Sequence, residues 1–185
     1  MVNTLLIKNM VCNRCTTIVK QLFNNEGIEV QTIQLGKVEI KEDSNIDIIK
    51  LEKSLNAQGF ELITNSSDVL VERIKIFLIQ EIEKGNTNNL FPKLAKNLGK
   101  TDSVLSKLFS KYEGVTLEKY CINLKIEKVK EQIELNQLNF SEIAYSLNYK
   151  NSSHLAKQFK IVTGMSMTQY KNSQDGNRIP LDKIV

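Results

Sequence analysis

The strongest constraint on this chain is that part of it is written twice. The stretch LAKNLGKTDSVLSKLFSKYEGVTLEKY (Leu94–Tyr120) can be laid over IAYSLNYKNSSHLAKQFKIVTGMSMTQY (Ile143–Tyr170). Leu105 then coincides with Leu155, Lys107 with Lys157, Phe109 with Phe159, Gly114 with Gly164 and Tyr120 with Tyr170, once one residue is inserted near Tyr149. Each copy has the spacing of a helix, a tight turn and a second helix. An internal repeat of that pattern is much stronger evidence for the motif than either copy alone.

The stretch between the copies predicts a long helix, about Leu117–Glu134, with Tyr120, Leu124, Val129 and Ile133 apolar. At ~1.5 Å per residue it spans roughly 27 Å. That is the order of one DNA turn, ~34 Å, which separates two successive major grooves on one face of a duplex. Cys121 on this helix reads as a small packing residue. Another helix is expected upstream, from about Asp68 to Lys84, with Val69, Ile74, Phe77, Leu78 and Ile82 apolar.

In the second copy, Asn139 and Glu142 have the spacing of a capping box, and Ile143, Ala144 and Leu147 face inward. The turn NYKN leads into a helix from Ser152 to about Val162. Leu155 and Phe159, one turn apart, point to the core. The opposite face carries Ser152, Ser153, Ala156, Lys157 and Lys160. In the first copy it carries Thr101, Asp102, Ser103, Ser106, Lys107 and Ser110. Small hydroxyl residues and lysines suit contacts to phosphates and base edges. His154 reads as a surface residue of its helix rather than a ligand.

Charge points the same way. Residues 1–64 hold 7 Lys/Arg against 8 Asp/Glu, whereas residues 65–185 hold 18 against 13. The basic excess therefore sits with the repeat, as for a domain that meets a polyanion. Neither exposed helix contains Arg, the commonest specific partner of guanine. Lysine contacts guanine with less defined geometry. The expectation is moderate sequence preference, sharpened by DNA shape or by a homodimer.

At 185 residues the chain accommodates two small domains. The front third alternates differently. Thr4–Ile7 reads as a strand and Arg14–Phe23 as a helix carrying Ile18, Val19, Leu22 and Phe23. Ile28, Val30 and Thr32, then Val38 and Ile40, alternate as a hairpin with its turn at Gly36-Lys37. A helix over Ile46–Gln58 carries Ile48, Ile49, Leu51 and Leu55, and FELIT is a last strand. The expected fold is an α+β ferredoxin-like βαββαβ domain over 1–64. A hinge at 65–67 precedes an all-α domain with two helix-turn-helix motifs joined by a long helix over 68–172, and 173–185 form a C-terminal tail.

Before the first helix stands MVCNRC, Met10 to Cys15. Strand, Met-x-Cys-x-x-Cys, helix, hairpin, helix, Gly59-Phe60 and strand together resemble a heavy-metal-associated domain, as in copper chaperones and the N-terminal modules of metal-pumping ATPases. That family usually has Gly before the Met, and here it is Asn9. The resemblance implies a metal site at Cys12 and Cys15. Thiolates are soft ligands for Cu(I) or Zn(II). With two strong ligands, Cu(I) is favoured over tetrahedral Zn(II), which needs two more, for instance from a second molecule. Cys15, near the helix N-terminus, is expected to favour thiolate, with Met10 a buried anchor. A redox switch and an inherited motif used only for packing or dimerisation remain alternatives.

The repeat resembles the DNA-binding domain of AraC-type transcription regulators, over about residues 68–172. SEIAYSLNYKNSSHLAKQFKIVTGMSMTQYK follows that family's second helix-turn-helix through Phe159-Lys160, Thr163-Gly164 and Tyr170-Lys171. The implied function is a promoter-binding transcription regulator, not an enzyme, responsive to a soft metal ion. The rivals are a thiol redox-sensing regulator or Cys-x-x-Cys oxidoreductase, and a metal chaperone with a helical protein-binding domain. The oxidoreductase lacks a His or Trp beside the pair. Three cysteines make no disulfide framework. No secretory signal or membrane-spanning run is visible, so the expected compartment is a reducing cytoplasm.

Overall fold

A computed structural model describes residues 2–41, 46–63, 66–173 and 178–184. The chain forms two compact units, residues 1–76 and 77–185.

The first unit begins with β1 (Val2–Lys8), α1 (Asn13–Asn25), β2 (Val30–Gln34), β3 (Lys37–Lys41), α2 (Ile48–Asn56) and β4 (Glu61–Leu62). The strands form one antiparallel sheet in the order β2-β3-β1-β4. Val19 and Phe23 of α1 and Leu51 and Leu55 of α2 join Ile7, Val38, Ile40 and Phe60 in one core.

Several local expectations shift. The hairpin turn is Leu35-Gly36, one residue earlier than the alternation suggested. An irregularity in register between Val30 and Thr32 turns Thr32 outward. Ile33 packs against the core in its place, and the Thr32 hydroxyl donates to Glu39 Oε2 at 2.6 Å. A bulge breaks period two in this way. In α2, capped by Asp47, only Leu51 and Leu55 are buried, and Ile49 is 80% exposed. Residues one turn apart share a face, and Ile49 lies off the face that Leu51 and Leu55 define. The expected hinge at 65–67 is only partly described: Asn65 lies outside the described residues, while Ser66 and Ser67 already belong to α3 (Ser66–Glu83). The boundary between the units falls within α3.

The second unit contains α4 (Leu90–Leu98), α5 (Asp102–Glu113), α6 (Leu117–Leu135), α7 (Phe140–Ser146), α8 (Ser152–Thr163) and α9 (Met167–Asn172). The repeat is visible residue by residue. α5 and α8 end at Gly114 (φ 71°) and Gly164 (φ 79°), the left-handed position that a residue with a Cβ rarely takes. Hydroxyl caps then start the next helix in each copy: Thr116 receives Lys119 N–H and Ser166 receives Gln169 N–H, both at 3.1 Å. Phe109 meets the Tyr120 ring at 5.0 Å between centroids, and Phe159 meets Tyr170 at 5.6 Å.

α6 is the shared core, packing against α5, α7, α8 and α9. It buries Tyr120, Leu124, Val129 and Ile133, and also Ile126, Glu127 and Lys130 on a further face. Of the C-terminal tail, residues 174–177 lie outside the described residues. The segment after them docks on α6: Ile184 is buried, and Ile179 N–H donates to Glu127 Oε2 at 3.0 Å.

Phe109 and Phe159 are both fully buried against a tyrosine. Phe159→Ala is expected to cost roughly 3–5 kcal/mol, and Phe109→Ala a similar amount. Thermal melts of the two variants check this. A melting curve unchanged by either would remove the equivalence of the two cores.

Candidate nucleic-acid interface and cysteine loop

The turn between helices is built differently in the two copies. In the first, Gly99 takes the left-handed conformation (φ 62°). Thr101 then caps α5, its hydroxyl accepting Val104 N–H at 3.4 Å. In the second, Asn148 takes the left-handed position (φ 56°), and Asn151 caps α8 by accepting His154 N–H at 2.8 Å. α7 has the expected capping box, with Glu142 N–H donating to Asn139 Oδ1 and Asn139 N–H to Glu142 Oε2.

The extra residue of the second turn is accounted for by Tyr149. Its hydroxyl donates to Gln158 Oε1 at 2.6 Å, and its ring meets His154 edge-on at 5.5 Å. Burial, with the Cys121 thiol nearby, pushes its phenol well above the usual value. Lys125 of α6 donates to the Leu147 carbonyl at 3.1 Å and stands over the Tyr149 ring at 5.5 Å. Lys125, Tyr149 and Gln158 thus tie the second turn to both α6 and α8. Sequence reasoning did not select them as site residues. The visible signal was an inserted aromatic in a polar turn.

On α5, Ser103 and Lys107 are exposed, and Ser106 and Ser110 are half-buried. Thr101 and Asp102 are exposed, but the Thr101 hydroxyl is occupied as a cap. On α8, Ser153, Ala156, Lys157 and Lys160 are exposed and Ser152 is half-buried. Leu105, Phe109, Leu155 and Phe159 fill the opposite face. His154 is exposed on α8.

The lysines fall into two groups. On α6, Lys128 bridges Glu83 at 2.9 Å and Glu131 at 2.6 Å, and Lys130 holds Glu127 at 2.5 Å. Among the described residues, Lys107, Lys157 and Lys160 have no carboxylate within salt-bridge distance. The first group is committed to the fold. The second is free to neutralise an external anion, and phosphate contacts are made by such side chains.

The cysteine loop lies in the first unit. Asn9 has φ 69°, the left-handed conformation that asparagine tolerates better than most residues with a Cβ. Its side-chain amide donates to the Gly59 carbonyl and its backbone N–H to Glu72 Oε1, both at 2.8 Å. Met10 is fully buried in the core. Cys12 is the N-cap of α1 and exposed, and Cys15 is half-buried in its first turn. Their sulfurs stand 3.5 Å apart.

The two thiols differ in a way that reverses the expected thiolate. Burial raises Cys12, but hydrogen bonds from the Cys15 N–H and thiol and the Arg14 N–H and charge outweigh it and bring it below the ordinary value. At Cys15 burial dominates, the Cys12 sulfur adds to it, and the thiol is pushed up. Thiolate therefore favours Cys12 at the cap. Among the described residues no group of three or more His, Cys, Asp or Glu is placed to hold a metal ion. Cys121 is buried in the second unit.

Residues 94–173 match the model of a family described as helix-turn-helix domain. That segment runs from α4 through α9 and holds two pairs of helices joined by a turn, α4–α5 and α7–α8. The C-terminal domain of AraT, a response regulator from Geobacillus stearothermophilus, is a similar solved structure. The match has a TM-score of 0.51 at 20% identity, over 60% of this chain and 88% of that chain. At this identity the likeness concerns the fold. No curated protein matches the chain. No helix among the described residues is long and apolar enough to cross a membrane.

Native protein treated with iodoacetamide near neutral pH should alkylate Cys12 first, since the thiolate is the nucleophile and Cys12 is the lowered thiol. Cys15→Ser should retain the fast phase, Cys12→Ser should lose it, and Cys121 should stay unmodified. Mass mapping of the labelled sites decides; faster labelling of Cys15 would contradict the assignment.

Proposed function

We propose that this protein is a DNA-binding transcription regulator of the AraC type. It reads double-stranded promoter DNA through α5 and α8, one in each of two successive major grooves. The observation that carries the reading is the repeat itself: two capped helices of equal length, each with an apolar face buried and a Ser/Lys face exposed. α6, at about 1.5 Å per residue, is roughly 28 Å long, a suitable spacer for two grooves. Phosphate contacts come from Lys107, Lys157 and Lys160. Ser103, Ser106, Ser152, Ser153 and Ala156 face the bases, and Thr101 acts as the cap that presents the first helix. With no Arg on either helix, shape readout and a homodimer supply much of the specificity.

In this proposal the first unit is a ferredoxin-like domain of the heavy-metal-associated kind. The order β2-β3-β1-β4 and the Met10, Cys12 and Cys15 loop support that reading. Cys12 and Cys15 would hold one soft ion, with Cu(I) favoured over Zn(II), because two thiolates suffice for Cu(I) and four ligands are the rule for structural Zn(II). A second reading has its own support. One lowered and one raised thiol, 3.5 Å apart, is also the arrangement of a dithiol redox switch.

Two experiments test the whole. Full-length protein should bind duplex DNA with an affinity that falls steeply with salt, and Lys157→Ala should lower the affinity and reduce the log–log salt slope by about one contact. Its melting temperature should stay unchanged, since Lys157 is exposed and unpaired. Salt-independent binding would end the DNA reading. Cu(I) titration against a competing chelator should show one ion taken by wild type and none by Cys12→Ser/Cys15→Ser. Equal uptake by both proteins removes the metal site. Uptake confined to wild type with unchanged DNA affinity keeps the site and removes the sensor.

A further inference from the structure

A cavity of about 800 Å³ lies wholly within the second unit, between α6, α8 and the docked segment after Arg178. Its size is that of a small-molecule site. Ile122 of α6, Ile161 and Val162 of α8 and Ile184 of the tail give it an aliphatic lining. Lys119 of α6 and Lys157 of α8 stand on its wall. Ile161 is 73% exposed and Val162 41% exposed, so aliphatic surface is left open to water there.

The charge of this cavity is decided by Glu127, the carboxylate on its wall. Glu127 is almost fully buried and already compensated. Lys130 Nζ lies 2.5 Å from it, Arg178 Nε 3.5 Å, and Ile179 N–H donates at 3.0 Å. Lys119 and Lys157 have no carboxylate within salt-bridge distance among the described residues. The unbalanced charge is therefore positive and sits beside branched aliphatic side chains. A phosphate or other small anion would leave the aliphatic lining wet, and a neutral hydrocarbon would leave the lysines unused. An anion with an aliphatic body satisfies both.

We propose that this cavity binds a single-chain aliphatic carboxylate, with its chain against Ile122, Ile161 and Ile184 and its carboxylate on Lys119 and Lys157. Lys157 is also a phosphate contact in the function proposed above, and this part of the inference rests on that reading. A carboxylate on Lys157 and a DNA phosphate on Lys157 exclude each other, so ligand and DNA weaken each other's binding by the same factor.

The test uses full-length protein and three probes: dodecanoate below its micelle concentration, dodecanol and butanoate. Calorimetric titration should give saturable one-to-one binding of dodecanoate, with dodecanol and butanoate each weaker by about tenfold or more. Ile161→Glu and Lys119→Ala should each weaken dodecanoate by a similar factor while keeping the wild-type melting temperature. Saturating dodecanoate should then lower the affinity for duplex DNA. No saturable binding, equal binding of all three probes, or binding indifferent to both substitutions overturns the site. Dodecanoate binding that leaves DNA affinity unchanged overturns the shared use of Lys157. Failure of the ligand-free protein to bind DNA would overturn the regulator reading instead, and the titrations would still decide the site.

Discussion

Everything in the second unit depends on α6 being buried on more than one face. A helix-turn-helix unit has too little apolar surface to stand alone, and this chain has two of them. α6 supplies both with a core: Tyr120 to Phe109 on one side, and packing against α7, α8 and α9 on the other. The second copy reaches it through Tyr170, whose ring meets Phe159 and whose hydroxyl donates to Glu134 of α6 at 2.6 Å. Aromatic pairs of this kind add about 0.5–1.5 kcal/mol beyond their buried area. Their larger effect is geometric. Each fixes the roll of its helix, and so decides which residues of α5 and α8 face solvent.

Burying a helix so widely brings charged groups inside. Glu127 and Lys130 of α6 are both buried, where an unpaired charge is severely penalised. They are paired with each other, and Arg178 and Ile179 of the tail complete the shell of Glu127. The tail is therefore tied to α6 by a buried carboxylate as well as by Ile184. The lysines on α5 and α8 have the opposite status. Lys107, Lys157 and Lys160 are exposed and have no carboxylate within salt-bridge distance among the described residues, so folding does not use their charge and a polyanion can.

The first unit solves a smaller problem by similar economy. Two thiols must be held close on a loop without being buried together. Asn9 in the left-handed conformation turns the chain, and its two hydrogen bonds anchor that turn. Met10 drops into the core directly after it. Cys12 is then the N-cap and Cys15 the third residue of α1, so one helix start sets both sulfurs.

Much of this was legible in the sequence. Period and repeat gave the helices, the Asn139–Glu142 capping box, the matching positions of Gly114 and Gly164 and the inward Leu155 and Phe159, because each follows from spacing along the chain. Other features depend on what an element meets. A bulge exchanged Thr32 for Ile33 on the core face. Ile49 is apolar at helical spacing and yet exposed, since it lies off the face that Leu51 and Leu55 bury. Spacing places Cys15 near a helix start but does not reveal that burial outweighs the helix there. Tyr149, Lys125 and Gln158 come together from a turn and two helices, and Glu127 meets Arg178 from far along the chain. The sequence by itself determined which elements form and which of their faces are apolar. Only the tertiary structure decided which charges are used up inside and which remain for a partner, because pairing depends on distances across the fold that no local pattern encodes.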